Sequence, residues 1–436
     1  MEKAIAVIDM KAFYSFFECV ERGLDPFKTP LVVCDTSRGE GTIVLSVTPY
    51  LKNLGVPSRC RKRELPDIKN MIYAVPQMKK YIEKSAEIVS IVLDFVGEDD
   101  IHVYSIDELF VNLGPYLKMY NLSPKELVKK ILSTIYEKTS LVATAGIGEN
   151  MLMAKLALDL DGKKKPPYIA QWSKKDVQDK LWKVTPLSKM WGISKGYEKR
   201  LNAMGIYSVK DLANTPKELL ISKFGIMGEQ LYEHANGIDN TNIREKYIPN
   251  TTSFSLGQVL HENYSKEEAK LLIKEMNDDL SSRLRSHHLK ATNVSLTIGY
   301  DYDDKAGGFS HSSKLLFPSD DSEILLKELL LIFNKNIKNH FTRQIHISYG
   351  DLVDNDYDQL SLFEDEEKSK ERKMLQKALD EVKNKFGSNS VLRTSSLLKK
   401  STAKERHNQI GGHKKWAIEE WKNTLHILHL LNNLRA

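Results

Sequence analysis

A short apolar run, Ala4-Ile-Ala-Val-Ile-Asp-Met10, opens the chain and ends on a carboxylate, Asp9. A continuous run of this kind, with Lys3 to Ile8 at its heart, reads as a buried strand. A carboxylate closing such a strand is poorly placed for mere solubility. A second acidic station lies far along the chain, in Tyr104-Ser-Ile-Asp-Glu-Leu-Phe110, where Asp107 and Glu108 sit at a turn between the strand-like runs Val103-Tyr-Ser-Ile and Leu109-Phe-Val-Asn-Leu113. Magnesium takes hard oxygen ligands and keeps waters and substrate phosphates in its shell, so Asp9, Asp107 and Glu108 converging would place two such ions beside a nucleoside triphosphate. That is the chemistry of nucleotidyl transfer. The bland alternative, a solvated Asp-Glu turn, suits any single pair in a chain with 58 acidic residues; the strand context weighs against it here.

A chain of 436 residues is long enough for about three domains of roughly 100–200 residues each. Its 64 basic and 58 acidic residues leave a net charge of +6, too mild to prove a polyanionic partner. The basic residues do cluster, most clearly in Lys163-Lys-Lys165 and Arg59-Cys-Arg-Lys-Arg63. Three cysteines, Cys19, Cys34 and Cys60, have no metal-ligand spacing, and their odd number argues against a disulfide framework. The reading is a soluble protein of a reducing cytoplasm, with no cleavable leader and no run of membrane-spanning length.

After Asp9, the residues Phe13, Phe16, Phe17 and Val20 recur at helical spacing. The opening of that helix, Met10 to Phe13, is expected to offer backbone N–H groups to phosphates. The same turn would set Tyr14 near a bound sugar. A strand at Pro30–Cys34, the segment Gly39–Thr48 and a short helix in Pro49–Val56 form a small subdomain between the two acidic stations. An amphipathic helix over Lys125–Thr139, a strand over Val142–Ile147 and a helix over Asn150–Asp159 complete an α+β domain with a mixed or antiparallel sheet.

The next region, Trp191 to Leu212, carries Gly192-Ile193-Ser-Lys195-Gly196, a helix, a second Gly-Ile pair and a helix opening at Ser208. A helix-hairpin-helix turn of this form presents N–H groups to a phosphate without reading bases. Phe224–Leu231 looks like a weaker second copy, and a plain helix-to-helix turn is the alternative for either. From Thr252 the order is β-α-β-β-α-β, one sheet face covered by helices and the other polar. Ser253, Ser255, Ser295, Thr297, His311, Ser313 and His346 are candidate backbone contacts on that open face, or simply solvated.

These residues resemble the Y-family DNA polymerases of UmuC and DinB type, over the chain to about position 350. Ile8-Asp-Met-Lys-Ala-Phe-Tyr-Ser-Phe-Phe-Glu18 and Tyr104–Phe110 match the family's two palm motifs. The resemblance implies a multidomain α+β right hand: palm over residues 1–30 and 76–167, small fingers over 31–75, helix-hairpin-helix thumb over 168–245 and a β-α-β-β-α-β little finger over 246–350. It implies that Asp9, Asp107, Glu108 and the Met10 carbonyl hold two magnesium ions. By the same resemblance Tyr14 is the steric gate against a ribose 2′-hydroxyl, and Ala12 and Phe13 give N–H groups to phosphates. Ser46, Lys52 and one lysine of the run Lys163, Lys164 and Lys165 contact the triphosphate, and the resemblance does not say which of the three. The sequence departs from many relatives at Pro49, where they carry an aromatic residue, and at Lys52, where they carry arginine. That implies a weaker hold on the triphosphate, or one shared with Tyr50.

Beyond the little finger, the tail over 351–436 contains Asp358-Gln-Leu-Ser-Leu-Phe-Glu364, which resembles the peptide by which bacterial polymerases dock on the sliding clamp. Leu362 and Phe363 would anchor in an apolar groove and Gln359 would fix register, with Leu360 counted among the clamp-binding residues. The rest of the tail resembles that of UmuC-like polymerases of Gram-positive bacteria and suggests no physical job, although Trp421, Leu425, Leu428 and Leu431 make a helical stripe. The implied function is error-prone translesion synthesis on primer-template DNA with deoxynucleoside triphosphates, the clamp and accessory proteins of the SOS response being further partners. Two rivals stay open: a non-catalytic DNA- and clamp-binding repair factor, and a helix-hairpin-helix glycosylase or nuclease.

Overall fold

A computed structural model describes residues 3–245, 248–249, 251–301, 305–355 and 366–415. They fall into two compact units, one up to position 245 and one from 248 onward. Among the described residues no helix is long and apolar enough to cross a membrane.

The first unit is built on five strands: β1 (Ile5–Met10), the run predicted to be buried, then, after three short strands of a smaller sheet, β5 (Ile101–Val103), β6 (Glu108–Asn112), β7 (Ala143–Gly148) and β8 (Ile169–Gln171). Their order is β5-β6-β1-β7-β8, with β1 antiparallel to both neighbours and only β8 parallel to its own. The expectation of a mixed sheet is met. Helix α1 (Phe13–Glu21) follows β1, and α3 (Met78–Leu93) precedes β5. The helix α5 (Pro124–Thr139) begins where Ser123 and Glu126 cap one another reciprocally, with Pro124 in the first turn where its missing N–H does no harm. Helix α6 (Met151–Ala157) lies against the sheet so closely that a Cβ at Gly146 would sit 2.1 Å from the Ala154 carbonyl, which restricts that position to glycine. Val7, Phe110, Met151, Ala154 and Leu158 share one buried cluster, so α6 covers the face that carries the odd-numbered residues of β1.

The smaller sheet, β3-β2-β4, comprises β2 (Leu31–Val33), β3 (Ser46–Val47) and β4 (Ile72–Ala74), with the short α2 (Pro49–Asn53) beside it. Within the segment Gly39–Thr48 the strand is two residues long, with one further bridge from Ile43 to Arg61. Past β8, helices α7 (Lys175–Asp179), α8 (Lys195–Asn202), α9 (Val209–Asn214), α10 (Lys217–Phe224) and α11 (Ile226–Ala235) gather around Leu181, Ile193, Leu201, Ile206, Leu212 and Leu231. Asn150 donates to the Gly237 carbonyl at 2.9 Å, and Arg244 forks onto the buried Asp100 at 2.8 and 2.7 Å, so the end of this helical region is tied back to the main sheet.

The second unit has the predicted order: β9 (Phe254–Tyr264), α12 (Lys266–Ser286), β10 (Leu289–Tyr300), β11 (Gly308–Ser319), α13 (Ser322–Asn336) and β12 (Thr342–Gly350), arranged β11-β10-β12-β9. Val294, Leu296, Ile298, Ile345, Ile347 and Tyr349 face the two helices. The register sets Ser255, Ser348, Ser295 and Ser312 in one row of the opposite face, and Gly257, His346, Thr297 and Ser310 in the next. His311 and Ser313 pair with Leu296 and Val294 and therefore lie on the helix side, and Ser313 reaches Glu328 of α13 at 3.4 Å. The open-face residues of that strand are Ser310 and Ser312 instead.

Residues 366–415 of the tail, to which the sequence lent no role, pack on this unit. Helix α14 (Glu366–Phe386) places Asp380 against Arg285 at 2.6 and 3.2 Å, Arg393 forks onto Asp278, and Arg406 and His407 both meet Asp279. Glu275, only 3 % exposed, accepts from Ser401 Oγ and the Thr402 N–H. Residues 366–415 are thus a further layer outside α12. The docking peptide 359–363 and the Trp421–Leu431 stripe lie outside the described residues.

Candidate active site

Antiparallel pairing sets Asp9 directly opposite Glu108, which puts both side chains on one face with their Cβ atoms about 5 Å apart. The Met10 N–H donates to the Asp107 carbonyl at 2.8 Å, and the N–H groups of Tyr104 and Ser105 both donate to the Glu108 carbonyl at 2.9 Å. A tight turn therefore presses Asp107 against the end of β1. Its carboxylate accepts from Ser105 Oγ at 2.7 Å.

Two ammonium groups enter from the segment after β7. Lys155, on α6, lies 2.7 Å from Glu108 Oε2 and 3.3 Å from Asp159. Lys163 lies 3.0 Å from both Asp9 and Asp159. Three carboxylates, Asp9, Glu108 and Asp159, thus meet two directly bonded cations, with the Asp107 carboxylate beside them. Burial pushes the Asp9 carboxyl up from its ordinary value, Lys163 pulls it down, and Asp107 pushes it up again; the net direction is up. Glu108 is likewise raised, by burial first, against the pull of Lys155.

The acids do not form a finished cage. Among the described residues no three acidic, histidine or cysteine side chains are gathered closely enough to hold an ion. The backbone register, not the side-chain rotamers, brings them together, and the lysines carry the counter-charge. One oxygen fits an added cation: Glu108 Oε1 is buried and has no hydrogen-bond partner in the protein. An orphaned carboxylate oxygen at such a place calls for a partner from outside the chain.

On the other side of Asp9, Ala12 takes a left-handed backbone, φ 49°, to turn the chain into α1. The N–H groups of Met10 and Lys11 are already donated to Asp107 and Val142, which corrects the expectation that the whole Met10–Phe13 stretch is open to phosphate. The N–H groups of Ala12 and Phe13 have no acceptor among the described residues. Ser46 Oγ lies 2.9 Å from Ser15 Oγ and 3.4 Å from the Ala12 carbonyl, so it braces the start of α1. Lys52 keeps an exposed flank, yet desolvation lowers its ammonium while Asp9 and Asp107 act to raise it, so it faces the acids. Tyr14 is pushed up to about 12, by burial first and then by the charge of Asp107, so its phenol stays neutral at working pH.

Sequence reasoning missed Lys155 and Lys11, whose ammonium sits 4.3 Å over the Tyr168 ring. A signal for the first existed: Lys155, Asp159 and Lys163 follow one another four residues apart with alternating charge. Of the three lysines in the 163–165 run, Lys163 is the one at the acids, while Lys164 pairs with Asp161.

In the helical region Gly192 has φ 89°, and Gly192, Lys195 and Gly196 are exposed. Ile193 is instead a core anchor, 5 % exposed, with its N–H donated to Met190, so it has nothing left to give a phosphate. The second copy differs from the first. Ile226, beside Gly225 at the joint of α10 and α11, is 85 % exposed where Ile193 and Ile206 are buried. Ser253 and Ser255 are exposed, and Ser295 and Thr297 half-buried, on the open sheet face.

The elements of the two units are those of the Y-family polymerase fold. A solved Y-family DNA polymerase chimera matches it at a TM-score of 0.65 and 20 % identity, over 81 % of this chain and 100 % of that one. Models of the impB/mucB/samB family match residues 8–159, and of its C-terminal domain residues 251–362; a model of the IMS-family helix-hairpin-helix motif matches 174–206. UvrX of Bacillus subtilis, named for UV-damage repair, is 39 % identical over 415 residues, covering 94 % of this chain and 98 % of UvrX. A DNA polymerase IV 2 of the same organism is 29 % identical over 420 residues, 95 % and 99 % of the two chains. The chain belongs to the impB/mucB/samB family, the UmuC-like Y-family polymerases.

Proposed function

We propose that the protein is a template-directed DNA polymerase of the error-prone translesion type, adding deoxynucleotides to a primer 3′ end by two-metal nucleotidyl transfer during DNA damage tolerance. The observation that carries this reading is the Asp9–Glu108 register with Asp107 at its edge and the buried, unpartnered Glu108 Oε1. Asp9, Asp107, Glu108 and the Met10 carbonyl would hold magnesium, which when bound lowers the barrier for the primer hydroxyl and steadies the departing pyrophosphate. Lys163, Lys52 and the free N–H groups of Ala12 and Phe13 meet the triphosphate. Tyr14 bars the 2′-hydroxyl by bulk, since its phenol carries no charge.

In this reading residues 1–30 and 76–167 are palm, 31–75 fingers, 168–245 thumb and 246–350 little finger. Gly192, Lys195, Gly196, Ser253, Ser255, Ser295 and Thr297 track the DNA backbone without reading sequence. Residues 359–363 dock on the sliding clamp, SOS accessory proteins are further partners, and the protein works in the cytoplasm. The pairing of the acids with lysines instead of one another favours a second reading, a non-catalytic DNA- and clamp-binding repair factor. Magnesium-dependent primer extension separates the two, because the second predicts duplex binding without incorporation. Tyr14→Ala is expected to lower discrimination against ribonucleotides by roughly 10- to 200-fold, the range a lost steric contact spans. Single-nucleotide incorporation of matched deoxy and ribo substrates measures it, and unchanged sugar selection removes Tyr14 from that role.

A further inference from the structure

A ring that excludes a hydroxyl by bulk works only while it cannot swing aside. Tyr14 is backed by Tyr81 of α3, with ring centroids 4.6 Å apart and planes 29° from parallel. Tyr81 has no exposed surface, and Phe17 meets it edge-on at 5.3 Å and Phe13 at 6.4 Å. Its hydroxyl donates to Glu18 Oε1 at 2.5 Å. Glu18, also fully buried, is fixed in turn by Gln77 at 3.1 and 3.3 Å and by an ion pair with Arg22. A carboxylate with no exposed surface is costly to keep unless it is well satisfied, and here its partners come from two helices. The chain of contact runs from Arg22 and Gln77 through Glu18 and Tyr81 to the face of Tyr14.

We propose that Tyr81, locked by Glu18, is a positioning residue for sugar selection: it closes the space into which the Tyr14 ring would retreat from a ribose. This rests on the reading of Tyr14 as the sugar gate. It requires no contact between Tyr81 and substrate. A merely structural Tyr81 would affect deoxy and ribo substrates alike, so the ratio of their kcat/KM values is the readout that separates the two roles.

The test measures that ratio by single-nucleotide incorporation for the full-length protein and three variants, with thermal melting alongside. Tyr81→Phe keeps the ring and removes the tether to Glu18; the ratio is expected to fall by about threefold. Tyr81→Leu removes the stacked ring as well, and the expected fall is about tenfold, the factor that about 1.4 kcal/mol represents. The change should lie mainly in KM for the ribonucleotide. Tyr14→Ala is the control. If it lowers the ratio while both Tyr81 variants keep it, the brace is refuted and the gate stands; if Tyr14→Ala leaves the ratio unchanged, gate and brace fall together. Should Tyr81→Leu not fold, the Tyr81→Phe ratio decides alone.

Discussion

Glu108→Ala and Asp107→Ala should each reduce magnesium-dependent primer extension by about 10³-fold or more, since several kcal/mol of charge stabilisation at the reacting phosphate is lost with the ligand. The two changes differ in what they do to the fold. Asp107 is a half-exposed turn residue whose carboxylate, among the described residues, accepts only from Ser105, so its removal should leave the melting temperature nearly unchanged. Glu108 is 7 % exposed and holds the buried Lys155, so its removal leaves that ammonium with Asp159 alone and should lower the melting temperature. Primer extension by both variants, with melting curves beside it, tests the assignment. Retained activity in either would take that residue out of the metal site.

Lys155→Ala is the second large effect. Its side chain is 8 % exposed and its ammonium lies between Glu108 and Asp159, and breaking a buried pair from one side costs about 3–5 kcal/mol because the other charge is left without compensation. With the lysine gone, Asp9, Glu108 and Asp159 repel one another with only Lys163 between them. Added magnesium should then raise the melting temperature of the variant more than that of the parent, because an ion that binds the folded state alone stabilises it by mass action. A thermal shift equal in the two proteins would show that these carboxylates do not share an ion. The Lys155→Met variant, which keeps most of the volume, separates lost charge from lost packing.

Much of this site could be read from sequence because its acids end apolar runs. A strand buried on both faces announces itself as β1 does, and Asp9 and Asp107 stand out against it. The alternation of Val294, Leu296, Ile298 and Tyr300 likewise gave the second sheet its inward face. Legibility failed where no local pattern exists. In β11, an edge strand, the consecutive polar residues Ser310, His311, Ser312 and Ser313 carry no alternation, so nothing short of the register reveals which pair faces out. The partnership of Lys155 with Glu108 spans 47 positions and that of Tyr81 with Glu18 spans 63, and such pairings are created only when the helices pack. The layer formed by 366–415 was invisible for the same reason: its charged residues look solvated until Arg393 is found against Asp278, Arg406 against Asp279 and Asp380 against Arg285.

That outer layer changes the mechanics of the unit it covers. Val353 and Asp354 are stitched to β10, and helix α14 is stapled through Asp380 to Arg285 on the same unit. The 366–415 layer and the sheet are therefore fastened into one piece, and the two should unfold together as a single cooperative body.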